Sequence, residues 1–189
     1  MTAIEEDRPS GVDVEEEGSD RTAAHVVEFR LASERCAIDI DAVDSIVETK
    51  QITRVPRAPD AVEGVMDLRG ETTAVVDPRT FLNVAGDRDE ENILVLDRAD
   101  DKQKIGIRVN DVEEVSRYPA SQVDENGELA ELQSSAIEAS LVRGVIRKHI
   151  GEAGSDDVPE EVALILWLDI DRLIDSVRPG EEHPADNQV

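Results

Sequence analysis

A single cysteine, Cys36, in a chain of 189 residues excludes an internal disulfide and any thiolate metal cluster. Aromatic side chains are equally scarce. Phe29, Phe81, Tyr118 and Trp167 are the whole set, so stacking platforms for bases or sugars are poorly supplied and the core must be aliphatic. No apolar run approaches the ~18 residues that span a bilayer, and the N-terminus lacks the basic-then-apolar order of a signal peptide. The expectation is a soluble, cytoplasmic protein with no membrane insertion. Catalytic motifs are missing too. There is no Gly-x-Ser-x-Gly, no Gly-x-Gly-x-x-Gly and no Gly-Lys-Ser/Thr, and the three histidines lack a cysteine set to form a metal site.

Acid is what the chain has in excess: 45 Asp+Glu against 20 Lys+Arg, for a net charge of −25. Such a surface repels phosphate backbones and anionic lipid heads, which argues against nucleic-acid and membrane-surface partners. Only Lys50, Lys102, Lys104 and Lys148 are lysines. Acid spread along the whole chain points to adaptation to high salt, because at about 1 M ionic strength the Debye length falls to ~3 Å and self-repulsion is screened.

One pattern occurs twice. Val62-Glu63-Gly64-Val65-Met66-Asp67-Leu68-Arg69-Gly70 is echoed by Val142-Arg143-Gly144-Val145-Ile146, and Val76-Asp77-Pro78-Arg79-Thr80-Phe81-Leu82 by Leu168-Asp169-Ile170-Asp171-Arg172-Leu173-Ile174. Upstream, Ile38, Ile40, Val43 and Ile46 match Ile107, Val109, Val112 and Val115 at one constant offset. Self-similarity on this scale indicates a duplicated small β-unit.

Residues 1–24 hold eight acids and almost nothing to bury, so they read as a disordered acidic tail. From His25 the chain alternates, with Val27, Phe29 and Leu31 on one face and Glu28 and Arg30 on the other, as a half-buried strand requires. Cys36 shares the parity of Ile38 and Ile40 and should point inward. Further strand is expected over 43–55, at 72–76, in three runs between 93 and 115, and at 162–168. Residues 119–139 carry no clear pattern. Asp77-Pro78 starts a short helix reaching to about Val84, and a final helix covers 170–177. Charged segments at 86–92 and 151–161 read as a linker and a loop, and 178–189 as a flexible tail. A first unit over about 25–84 and a second over about 92–177, with strand exchange between them open, follow from the repeat.

Two constellations could carry chemistry. Asp39-x-Asp41 and Asp169-x-Asp171 could each hold Mg²⁺ beside a phosphate, the basis of an alternative reading as a Mg²⁺-dependent phosphoryl-transfer enzyme. In so acidic a chain the signal is weak, and solvation, with helix capping for the second pair, accounts for such pairs better. Arg69 stands apart: Leu68-Arg69-Gly70 reads as a hairpin turn in which Gly70 takes positive φ and the arginine is presented to partners.

Residues 52–84, with Ile52-Thr53-Arg54-Val55-Pro56, Ala58-Pro59, Gly64 to Gly70 and Val75-Val76-Asp77-x-Arg79, resemble the CheW family of chemotaxis coupling proteins. The resemblance extends over about 25–177 and includes Gly106-Ile107-x-Val109-x-Asp111-Val112. It implies a mainly β fold of two intertwined five-stranded SH3-like barrels with short helices, one of them C-terminal. It also implies an adaptor without catalysis or cofactor, which couples the cytoplasmic hairpin tip of chemoreceptors to the regulatory domain of the histidine kinase CheA at membrane-associated receptor arrays. Carried over by position, Arg69 matches a receptor-binding arginine and Val43 an apolar residue of the same groove, with Ser45, Val65 and Leu68 as further receptor-side candidates. Gly64, Gly70, Asp77, Gly144 and Asp169 take structural roles. The chain departs from the family pattern at Ser45, Asp67 and Pro78, where glutamate, asparagine and leucine are common.

Overall fold

Short runs of β-branched and aliphatic residues, punctuated by Gly, Pro and Asp, become strands wherever a neighbouring run can complete their hydrogen bonds. The computed structural model describes residues 22–82, 84, 91–98, 103–125, 139–150 and 161–177. Among these, eleven runs are strands: β1 (Thr22–Leu31), β2 (Glu34–Asp39), β3 (Val43–Glu48), β4 (Val62–Leu68), β5 (Glu71–Val76), β6 (Asn92–Leu96), β7 (Lys104–Val109), β8 (Asp111–Pro119), β9 (Val123–Asp124), β10 (Val142–Ile150) and β11 (Glu161–Leu168). Two helices, α1 (Arg79–Leu82) and α2 (Ile170–Val177), follow β5 and β11. The acidic segment up to residue 21, the linker over 85–90, the stretch 126–138, the loop 151–160 and the tail 178–189 lie outside the described residues.

The strands form two sheets, ordered β8-β1-β2-β11-β10-β9 and β3-β6-β7-β5-β4. Matching β1, β2, β3, β4 and β5 with β6, β7, β8, β10 and β11 turns one order into the other. Each sheet therefore contains the opening hairpin of the opposite repeat: β1–β2 sits beside β8 and β11, and β6–β7 beside β3 and β5. The equivalence reaches single residues. Ala37 lies against Trp167 and Gly106 against Val75 in the two parallel pairs, and bulges fall at Val62/Gly64 and Val142/Gly144. A β-carbon built on Gly64 would stand 2.3 Å from the Thr53 carbonyl oxygen, and one on Gly144 2.9 Å from that of Asp124. Glycine is required at both because the crossing main chain leaves no room.

Exchange explains why the opening hairpins are buried on both faces. Val27, Phe29, Leu31, Cys36 and Ile38 meet Leu94, Leu96, Ile107 and Val109 in one cluster between the sheets, closed by Leu173 and Ile174 of α2. The opposite face of the six-stranded sheet packs Val26, Ala37, Tyr118, Ile146, Ile165 and Trp167, and that of the five-stranded sheet packs Met66, Leu68, Val75, Ile93 and Val95. Each such aliphatic side chain contributes about 1.5–3 kcal/mol by leaving water.

Both helices start alike. The N–H of Asp77 donates to the Ala61 carbonyl and that of Asp169 to the Leu141 carbonyl, each at 2.9 Å. The Asp77 carboxylate then accepts the Arg79 N–H and the Asp169 carboxylate the Arg172 N–H, both at 3.1 Å. The two aspartates anticipated as structural are thus N-caps.

Three expectations are revised. β1 begins at Thr22, inside the segment read as tail, because Thr22 and Ala24 pair with Pro119 and Tyr118. Strand expected over 43–55 stops at Glu48, and only Thr53 pairs again, bridging Val65. Glu28 is 1% exposed and does not face water. It accepts hydrogen bonds from the Tyr118 hydroxyl at 2.5 Å and Lys148 Nζ at 2.7 Å, and Lys148 also binds Glu114. Burial pushes the Glu28 carboxyl up, yet hydrogen bonds from Lys148, Ser116 and Tyr118 and the lysine charge outweigh it and hold the pKa below the ordinary value.

Candidate functional site

The β4–β5 hairpin closes at Leu68↔Glu71 with two residues between, and both take left-handed φ: 55° at Arg69 and 87° at Gly70. That pairing matches the twist of the flanking strands. A left-handed arginine costs about 1–2 kcal/mol. The Asp67 carboxylate offsets part of this by accepting the Gly70 N–H at 3.1 Å, a role the asparagine common in the family would also fill. Arg69 is left exposed, and no acid among the described residues pairs with it.

The other receptor-side candidates do not share one face. Val43 and Ser45 lie half-buried on β3, one margin of the five-stranded sheet, where the Ser45 hydroxyl donates to Asp44 at 3.2 Å. Val65 is half-buried on β4, the opposite margin. Leu68 is 8% exposed and gives its side chain to the barrel interior beside Met66 and Val75. Val47 of β3 packs on that same cluster, so the sheet wraps both margins around one core.

The Asp-x-Asp pairs do not open towards a shared ligand. The Asp39 carboxylate accepts from Arg143 Nη1 at 3.0 Å, and that guanidinium lies 4.3 Å from the Trp167 ring centroid. Burial, with Asp41 and Asp169 nearby, raises the Asp39 pKa against the pull of Arg143. Asp169 caps α2, and Asp171 accepts from Arg98 at 2.6 Å. Among the described residues, no three acid, histidine or cysteine side chains gather to hold a metal. Phosphoryl transfer through these pairs therefore has no geometric support.

Sequence reading missed the exposed cations Lys50, Arg54 and Arg57 between β3 and β4. The available signal was three cations with a single acid, Asp60, over residues 50–60 of an otherwise acidic chain.

Residues 25–178 match the family described as CheW-like domain. The chain is 26% identical over 156 residues to "Chemotaxis protein CheW" of Thermotoga maritima, covering 82% of this chain and 91% of that protein. It is 33% identical over 95 residues to the protein of the same name from Klebsiella aerogenes, covering 50% and 57%. Its fold resembles that of the scaffolding protein TtCheW from Thermoanaerobacter tengcongensis, with a TM-score of 0.61 at 23% identity over 79% of this chain and 86% of that one. With the two exchanged five-strand units and the capped C-terminal helix in place, the chain belongs to the CheW family.

Proposed function

We propose that this protein is a non-catalytic adaptor of chemotaxis signal transduction that couples chemoreceptors to the histidine kinase CheA. The observation that carries the reading is the family match over residues 25–178, which spans every described strand from His25 onward. On this reading the receptor's hairpin tip lies as a helix against an apolar groove, and Arg69 at its rim adds orientation and charge complementarity. Val65, on the strand that leads into the turn, stands nearest to Arg69, Val43 and Ser45 flank from the other margin of the sheet, and Leu68 anchors the turn from within. The regulatory domain of CheA, built on the same plan, docks elsewhere on the barrels. The protein acts in the cytoplasm at receptor arrays, and no helix of the described residues is long and apolar enough to cross a membrane.

Affinities for a receptor signalling tip and for the CheA regulatory domain test the proposal. Arg69→Glu should lose about tenfold or more in receptor affinity, keep the native circular dichroism spectrum, and largely keep the kinase contact. Receptor affinity unchanged in the variant would remove Arg69 from the interface.

A further inference from the structure

One end of each sheet is the third strand of a repeat. Among the described residues β3 pairs only with β6 and β8 only with β1, so each keeps one edge without a neighbouring strand. The two edges correspond residue by residue. A bulge leaves one extra residue in each, Asp44 in β3 and Glu113 in β8, which matches Ile46 with Val115 and Glu48 with Arg117. Ile46 is 45% exposed and Val115 50%, so both edges carry an apolar side chain half in water. Their charges differ, because Arg117 stands where β3 has Glu48.

The β8 edge is open to solvent. Glu113, Glu114 and Val115 are exposed in succession, although neighbours along a strand point to opposite faces, so the middle of β8 is uncovered on both. Glu113 is exposed as a residue while its side chain, held by Arg30, is only 23% exposed; it is the main chain that water reaches. Arg117 is exposed and pairs with no acid among the described residues. Edge strands are ordinarily blunted by charge, and β3 follows that rule with Asp44 and Glu48 of one sign on either side of Ile46. β8 instead sets one acid and one base about Val115.

We infer that two copies of this chain associate through their β8 edges, antiparallel about a two-fold axis at Val115. In that register Val115 meets Val115, and Glu113 of each copy faces Arg117 of the other, so both charged rungs are attractive. The competing pairings are not. Two β3 edges would set Asp44 against Glu48 twice, and β3 on β8 would match Asp44 with Arg117 but Glu48 with Glu113. Moving the β8 axis by one residue would oppose Glu114 to Glu114 or Val115 to Arg117. The contact is isologous, so it closes at two copies and its short ladder makes a weak dimer, formed at high concentration. It uses neither Arg69 nor the margins of the five-stranded sheet, and it stands apart from receptor coupling.

Sedimentation velocity of the full chain over a concentration series, at the lowest salt that preserves the native circular dichroism signal, tests this. A reversible monomer–dimer equilibrium is expected. Arg117→Glu turns both charged rungs into repulsions, as does Glu113→Arg, so each variant alone should dimerise about tenfold or more weakly than the parent. Mixing the two variants restores opposite charges at both rungs and should recover the dimer. Val115→Lys, which sets like charges at the axis, should weaken it as well. All three positions are exposed, so the variants should keep the native spectrum. A chain that stays monomeric at every concentration, Arg117→Glu dimerising like the parent, or a mixture no tighter than either variant alone would overturn the proposal. Loss of the dimer in Ile46→Lys but not in Val115→Lys would place the contact on β3, and that result also overturns it.

Discussion

Lys148→Met should damage this protein far more than most lysine substitutions would. Lys148 Nζ lies 2.7 Å from a Glu28 carboxylate that is 1% exposed, and the lysine side chain itself is 21% exposed. Removing one partner of a buried ion pair costs about 3–5 kcal/mol, because the other charge is left uncompensated. Here the Tyr118 and Ser116 hydroxyls still serve Glu28, and water reaches the lysine end, so the expected loss is about 2–3 kcal/mol. For a body of this size that is roughly a 5–10 °C fall in Tm. The pH dependence carries a sign. In the parent, the Glu28 pKa is depressed, so its contribution is present above the unfolded-state carboxylate pKa and fades as pH falls through the folded value. In the variant, burial without the ammonium raises that pKa, so the deficit should be largest near neutrality and shrink as acid protonates Glu28 in both states. Thermal unfolding at high salt, at pH 7 and again near pH 4, decides it. A deficit below about 1 kcal/mol, or one that does not change with pH, would refute the reasoning.

Gly64→Ala forces a β-carbon onto the Thr53 carbonyl and should cost about 2–4 kcal/mol, whereas Gly70→Ala, with open space around it but φ of 87°, should cost about 1–2 kcal/mol; chemical denaturation separates them. Cys36 is fully buried and burial raises its thiol pKa, so a disulfide reagent should modify it only at the rate of unfolding. Rapid reaction in native buffer would place it at the surface. Lowering salt should unfold the chain, since a net charge of −25 is then unscreened, and a full native signal in dilute buffer would contradict adaptation to high salt.

Much of the fold was legible because it is local. The α2 span over 170–177, its Asp169 cap, the turn at Arg69-Gly70 and most strands follow from periodicity and turn chemistry read within a few residues. The pairing of β2 with β11, or of β5 with β7, is not written in either strand alone. Glu28 shows the consequence. One glutamate among alternating apolar residues reads as a solvent face, yet its partners Tyr118 and Lys148 come 90 and 120 residues later, on strands that burial brings around it. Leu68 misleads in the opposite direction, since its place beside Arg69 suggests a surface while its parity with Met66 turns it inward. The bridge that Thr53 makes across to Val65 is likewise a tertiary fact with no local signature.

Coupling is tested most directly by cosedimentation of CheA with receptor-bearing membranes, in the presence and absence of this chain and of its Arg69→Glu variant at high salt. The chain should raise the CheA fraction brought down with the receptors, and the folded variant should fail to do so. CheA recruited equally well without the chain, or equally well by the variant, would contradict the account.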